Sequence, residues 1–161
     1  MKKRKKYIIF IFLIIVISSI IFVGYKYQQY TELRVDNGNT LRELTEVLQQ
    51  GKQTIRLKDN LSFKWNIAHV FNPYTTDDTI NKEVNKDWVK EDTSFLQFLL
   101  GFEVEVLSDE YKRLIFVNNN KVIKDITFNT SNFNILSNKI NQDDILILVG
   151  NNQYKVLYEE N

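Results

Sequence analysis

Residues 7–25, YIIFIFLIIVISSIIFVGY, run for nineteen positions without a charge and follow directly on the basic block Lys2-Lys3-Arg4-Lys5-Lys6. As a helix such a run is about 28 Å long, close to the thickness of a bilayer's hydrocarbon core. The pattern then changes. Residues 26–39 are polar with no clear apolar period and read as a stalk. Beyond it, Leu41, Leu44, Val47 and Leu48 make one helical stripe over 41–50, with Thr40 and Glu43 spaced as a capping box and Gly51 as a stop. Phe63, Trp65, Ile67, His69 and Phe71 alternate with Lys64, Asn66, Ala68 and Val70, the period of a strand with one aromatic face turned to the core. Pro73 ends it.

A helix is predicted over about 76–87, with Thr75 and Asp78 as its capping signature and Ile80, Val84 and Trp88 along one side. Phe95–Leu100 reads as a short buried helix before Gly101. Strands are predicted over 102–107, 111–117 and 122–128, the last two joined by the turn-forming Asn118-Asn119-Asn120-Lys121. A final hairpin pairs 145–149 with 154–158. The predicted class is α+β: one transmembrane helix, residues 7–25, then a domain over 40–161 with an antiparallel sheet packed by two or three helices.

Charge gives the anchor a direction. Five basic residues precede the span and only Lys26 closely follows it, so the positive-inside rule places the N-terminus in the cytoplasm and the domain outside. A cleaved signal peptide would have a shorter apolar core and small residues near its end, where this run has Ile20, Ile21, Phe22 and Val23. A lipoprotein would need a cysteine to acylate, and there is none. Setting aside the six cations around the span leaves fifteen against twenty acidic residues, an acidic domain that does not suit a nucleic-acid partner.

The inventory of reactive groups is thin. The single histidine, His69, falls on the aromatic stripe and reads as a packed core residue. No phosphate-binding glycine loop, zinc motif or nucleophile elbow occurs, so no cofactor, metal or catalytic residue is assigned. Carboxylates cluster at Asp77, Asp78, Glu83 and Asp87, and at Asp143-Asp144, without the spacing of a calcium loop. Capping of a helix and a turn before a strand account for them; acid catalysis at the first cluster stays open as the alternative.

The stretch Trp65-Asn66-Ile67-Ala68-His69-Val70-Phe71-Asn72-Pro73-Tyr74-Thr75, with the later Leu114–Ile123 run, resembles small exported proteins of Gram-positive bacteria that read W-D-x-x-Y-x-F-x-P-Y-T. Asn66 stands where that pattern has Asp, and His69 where it has Tyr. The family has no assigned activity, so the resemblance implies an exported α+β domain and no chemistry. The expected function is a membrane-anchored, non-catalytic interaction module at the cell envelope, binding a protein or envelope component, self-protection being one such role. Its partners would be the bilayer through residues 7–25 and an envelope protein. Candidate recognition residues are Trp65, His69, Tyr74 and Trp88. The alternative is a carboxylate-based or hard-metal-dependent hydrolase.

Overall fold

The computed structural model describes residues 2–101 and 108–157, with side chains from Lys6 onward. The strand predicted over 102–107 and the end of the last hairpin at Tyr158 lie outside the described residues. Helix α1 spans Lys2–Leu33. Its segment Lys6–Leu33 is long and apolar enough to cross a membrane, with a mean hydropathy of 3.0 in its most apolar window and none of that window buried by the domain.

The stalk reading of 26–39 needs correction. The helix continues through the polar residues to Leu33, supported by Lys26–Gln29 (3.2 Å) and Gln28–Glu32 (2.8 Å) hydrogen bonds one turn apart. Tyr30 and Val35 are buried in the domain. The Val35 N–H donates to the Val89 carbonyl (3.0 Å), and the Val89 N–H returns to Leu33 (2.9 Å). Helix α1 is thus built into the domain, with no free tether between them.

The domain has two four-stranded sheets where one was predicted. The first has the order β4-β3-β2-β6, from β2 Ile67–Phe71, β3 Tyr111–Asn118, β4 Lys121–Asn129 and β6 Lys139–Asn141, all antiparallel. The second has the order β1-β7-β8-β5, from β1 Thr54–Ile55, β5 Asn134–Ile135, β7 Leu146–Gly150 and β8 Gln153–Val156, with only the β5–β8 pair parallel. The α+β class holds. Asn119 (φ 44°) and Asn120 (φ 69°) turn the β3–β4 hairpin, a left-handed pair that asparagine tolerates well.

The main core lies between the sheets. Leu114, Phe116, Ile126 and Phe128 meet Ile135, Leu146 and Tyr154, and α2 (Thr40–Leu48) adds Leu44 and Leu48. The Tyr154 hydroxyl donates to the Leu48 carbonyl (2.8 Å), which satisfies the one polar atom of that ring. The capping box expected at Thr40 and Glu43 does not form. Thr40 donates to the Asn37 carbonyl (2.6 Å), and the Glu43 carboxylate reaches out to the Ser62 hydroxyl (2.8 Å).

The first sheet is also covered on its other face. Phe71 and Ile115 pack there against Val35 and against Ile80 and Val84 of α3 (Asp77–Val84). Thr76, rather than Thr75, caps α3 by accepting the Thr79 N–H (3.3 Å), and Asn85 in the left-handed conformation (φ 51°) ends it short of the predicted residue 87. Helix α4 (Phe95–Leu100) has the predicted bounds, but none of its residues is buried.

Candidate functional site

The odd-numbered residues of β3 face α3, and among them is a charge: Arg113, only 5 % exposed. Its Nε–H donates to Asp125 Oδ1 (2.7 Å), Nη2 donates to Asp125 Oδ2, and Nη1 donates to Asp77 Oδ1 (2.6 Å). Asp125 also accepts the Trp88 indole N–H (2.7 Å), while the guanidinium lies 5.6 Å from the centre of that ring. The backbone of Asp125 is clamped by one side chain: Asn37 Nδ2 donates to its carbonyl (2.6 Å), and its N–H donates to Asn37 Oδ1 (2.8 Å). Lys90 completes the set through Asp77 (3.2 Å).

These charges are stable in the interior because each has a partner and most of their hydrogen-bonding capacity is used. Burial by itself would lower the Arg113 pKa. The hydrogen bonds and charge of Asp125, joined by those of Asp77, outweigh that and hold it above its ordinary value. The group is a permanent cation locked between two carboxylates.

The network floors a cleft of about 380 Å³ between α3, the sheet and the segment 90–92. Four carboxylates line it, on Asp77, Glu91, Asp92 and Asp125, against the two cations Lys90 and Arg113. Asn72 and Thr75 form part of its wall, and Tyr74 lies between them in the chain. The turn Asn72–Thr75 is closed by the Thr75 N–H on the Asn72 carbonyl (3.3 Å), with Pro73 at its second position and Tyr74 at φ +63° in its third. That third position normally belongs to glycine or asparagine. Tyr74 is 57 % exposed.

The four candidate recognition residues do not share a surface. Trp65 is buried in the main core against Phe116, ring centres 5.2 Å apart. His69 and Phe71 point to the opposite face of the sheet, so the single aromatic stripe predicted over 63–71 divides. The reason is local. The ladder begins only at Ile67, and Trp65 belongs to the irregular segment before it, which need not keep the strand's parity. Trp88 is half-buried on the α3 side with His69, and Tyr74 is at the surface.

His69 Nδ1 lies 3.7 Å from Glu83 Oε1, beyond hydrogen-bond reach. Burial lowers its pKa, Glu83 offsets this only in part, and Lys139, its cross-strand neighbour, adds to the lowering. The ring stacks on Phe71 at 6.2 Å. Asn66 serves the fold. Its Oδ1 accepts the Asn119 N–H (2.8 Å) at the β3–β4 turn, which a carboxylate oxygen would do as well.

Of the acids considered for catalysis, Asp77 is bound by Arg113 and Lys90, while Asp78, Glu83 and Asp87 are exposed. Asp144 accepts the Asn141 N–H (2.7 Å) in a turn, and Asp143 pairs with Lys58. Among the described residues no group of three or more His, Cys, Asp or Glu is placed to hold a metal ion. Sequence reasoning missed Arg113 and Asp125. The available signal was a basic residue directly before the apolar run of β3 and an acid at the centre of its partner strand β4.

No family model, curated protein or solved structure matches the chain.

Proposed function

We propose that the chain is a single-pass protein of the cell membrane, with its N-terminus in the cytoplasm and its domain outside, and that the domain is a non-catalytic interaction module of the envelope. The five basic residues before the apolar run, against one closely after it, support the orientation. The resemblance of 65–75 to exported proteins points the same way. The binding edge in this reading is the rim of the Asp77–Arg113–Asp125 cleft, and the ligand is a protein segment that brings cations or hydrogen-bond donors to Glu91 and Asp92, the lining acids not committed to Arg113.

Tyr74 carries the binding reading. A side chain held at positive φ costs about 1–2 kcal/mol over glycine. Backbone strain of this kind persists where a site uses it. Here the strained residue is a large, exposed aromatic beside an acidic cleft, the type of side chain that anchors protein interfaces. The hydrolase reading has less support, because the most enclosed acids are already committed to Arg113.

A photoreactive phenylalanine analogue at Tyr74, in cells, tests this directly. The expected result is a discrete protein adduct at Tyr74 that is absent when the same group replaces Lys121 at the tip of the β3–β4 hairpin. Equal labelling at both positions, or no adduct at Tyr74, would remove the binding edge.

A further inference from the structure

The segment 89–98 runs back down α1 toward the apolar span. Val89 bonds to Val35, the Arg34 guanidinium donates to the Glu91 carbonyl (2.6 Å), and the Tyr30 hydroxyl donates to the Thr93 carbonyl (2.8 Å). Phe95 then packs edge-on against Tyr27 (5.3 Å), and Lys26 Nζ sits 5.7 Å over the Phe98 ring. The segment thus descends from Val35 toward Tyr25, where the charge-free run ends, and Phe95 and Phe98 settle beside Lys26, Tyr27 and Tyr30. Helix α4 is therefore level with residues 26–30 of α1, within about 8 Å of the end of the run at 1.5 Å per residue. In a bilayer spanned by residues 7–25 that height is the headgroup layer, since headgroups add about 5–8 Å on each side of the hydrocarbon.

The exposed side of α4 is apolar. Leu96 and Leu100, one turn apart and hence on one face, are 63 % and 56 % exposed. Outside α1 no aliphatic side chain among the described residues is more exposed. The helix ends are also prepared for a water-poor setting. Ser94 and Gln97 form a reciprocal capping box, and Gly101 (φ 68°) closes the C-terminus by donating to the Gln97 and Phe98 carbonyls.

We infer that α4 is an interfacial helix, seated in the headgroup layer of the same leaflet from which α1 emerges, with Leu96 and Leu100 in contact with lipid. The occupant of this face is phospholipid, because α4 packs on Lys26, Tyr27 and Tyr30, directly beyond the end of the apolar run that would span the bilayer. The domain is then held to the bilayer at two points, which fixes its tilt and the direction in which the acidic cleft opens. This rests on α1 spanning the membrane and is independent of which side the domain occupies.

The chain has no cysteine, so single cysteines at Leu96, Leu100, Ile17 and Asn151 can each carry an environment-sensitive fluorophore on the full chain. The proteins are reconstituted in phosphatidylethanolamine–phosphatidylglycerol vesicles containing lipids with a nitroxide near the top of the acyl chain or near its end. Leu96→Cys and Leu100→Cys should be blue-shifted and quenched most by the shallow nitroxide, Ile17→Cys by the deep one, and Asn151→Cys by neither. Quenching at residue 17 with silence at 96 and 100 would overturn the inference and leave the anchor standing. Equal quenching at 96, 100 and 151 would also overturn it, since α4 would then have no special contact. Silence at residue 17 would remove the anchor and the interfacial helix together.

Discussion

Arg113 and Asp125 meet because Ile123 is left out of the β3–β4 ladder. Val117 pairs with Val122, but Phe116 pairs with Lys124, so the strands slip by one residue at that point. The slip sets Asp125 opposite Ile115, on the same face as Arg113. Without it Asp125 would oppose Leu114 and point an unpaired carboxylate into the main core. One bulged residue decides whether the domain has a cleft with a paired floor or a buried orphan charge.

Truncating either partner of this pair should be costly. Asp125→Ala leaves the Arg113 cation buried with only Asp77, and a loss of about 3–5 kcal/mol is expected. The double variant Arg113→Met with Asp125→Leu removes both charges and should lose less than the two single changes combined. Urea denaturation monitored by tryptophan fluorescence measures this, and full additivity would mean the pair is not coupled.

The continuity of α1 with the domain sets the minimal folding unit. A fragment starting at Lys26 keeps Tyr30 and Val35, and one starting at Asp36 loses both. At about 1.5–3 kcal/mol for each buried apolar side chain, the shorter fragment should be less stable by roughly 3–6 kcal/mol. Equal midpoints for the two fragments would return residues 26–35 to the role of a stalk.

His69 gives the domain a defined acid sensitivity. Its folded pKa is below the ordinary 6.5, so below that pH the unfolded chain binds the proton more readily than the folded one. The stability it confers is complete above about pH 6.5 and is lost as pH falls through the lowered folded value. It is the only histidine. His69→Tyr should fold, keep the stacking on Phe71, and flatten the stability–pH curve just below pH 6.5. An unchanged slope would show that His69 is freely solvated.

Tyr74→Gly separates stability from recognition. Relief of the left-handed strain outweighs the extra freedom glycine gives the unfolded chain and the loss of an exposed contact with Asp109, for a small net gain. Thermal melting should show a higher midpoint. A lower one would mean that the Tyr74 side chain, through its contact with Asp109, stabilises the domain by more than its backbone strain costs.

Local signals in the sequence carried much of the fold. The stripe Leu44, Val47, Leu48 marked α2, the asparagine turn marked the β3–β4 hairpin, and Ile80 with Val84 marked α3. The run Leu114-Ile115-Phe116, apolar at consecutive positions, already indicates burial on both faces of the sheet, as found. The second sheet was hidden because β1 and β5 have two residues each, too few to show a period. The docking of residues 26–35 was hidden because Tyr30 and Val35 are isolated apolar positions in a polar stretch. The site depended on the Ile123 bulge, which no propensity marks, and on Asn37 and Asp125, which are 88 residues apart in the chain.

The envelope function proposed for the domain depends on which side of a membrane it occupies. Single cysteines at Lys3 and at Asn151 of the otherwise cysteine-free chain, treated on intact cells with a membrane-impermeant maleimide, measure that side. The anchored account predicts labelling of Asn151→Cys in intact cells and of Lys3→Cys only after lysis. Labelling of Lys3→Cys in intact cells, with Asn151→Cys protected until lysis, would contradict it.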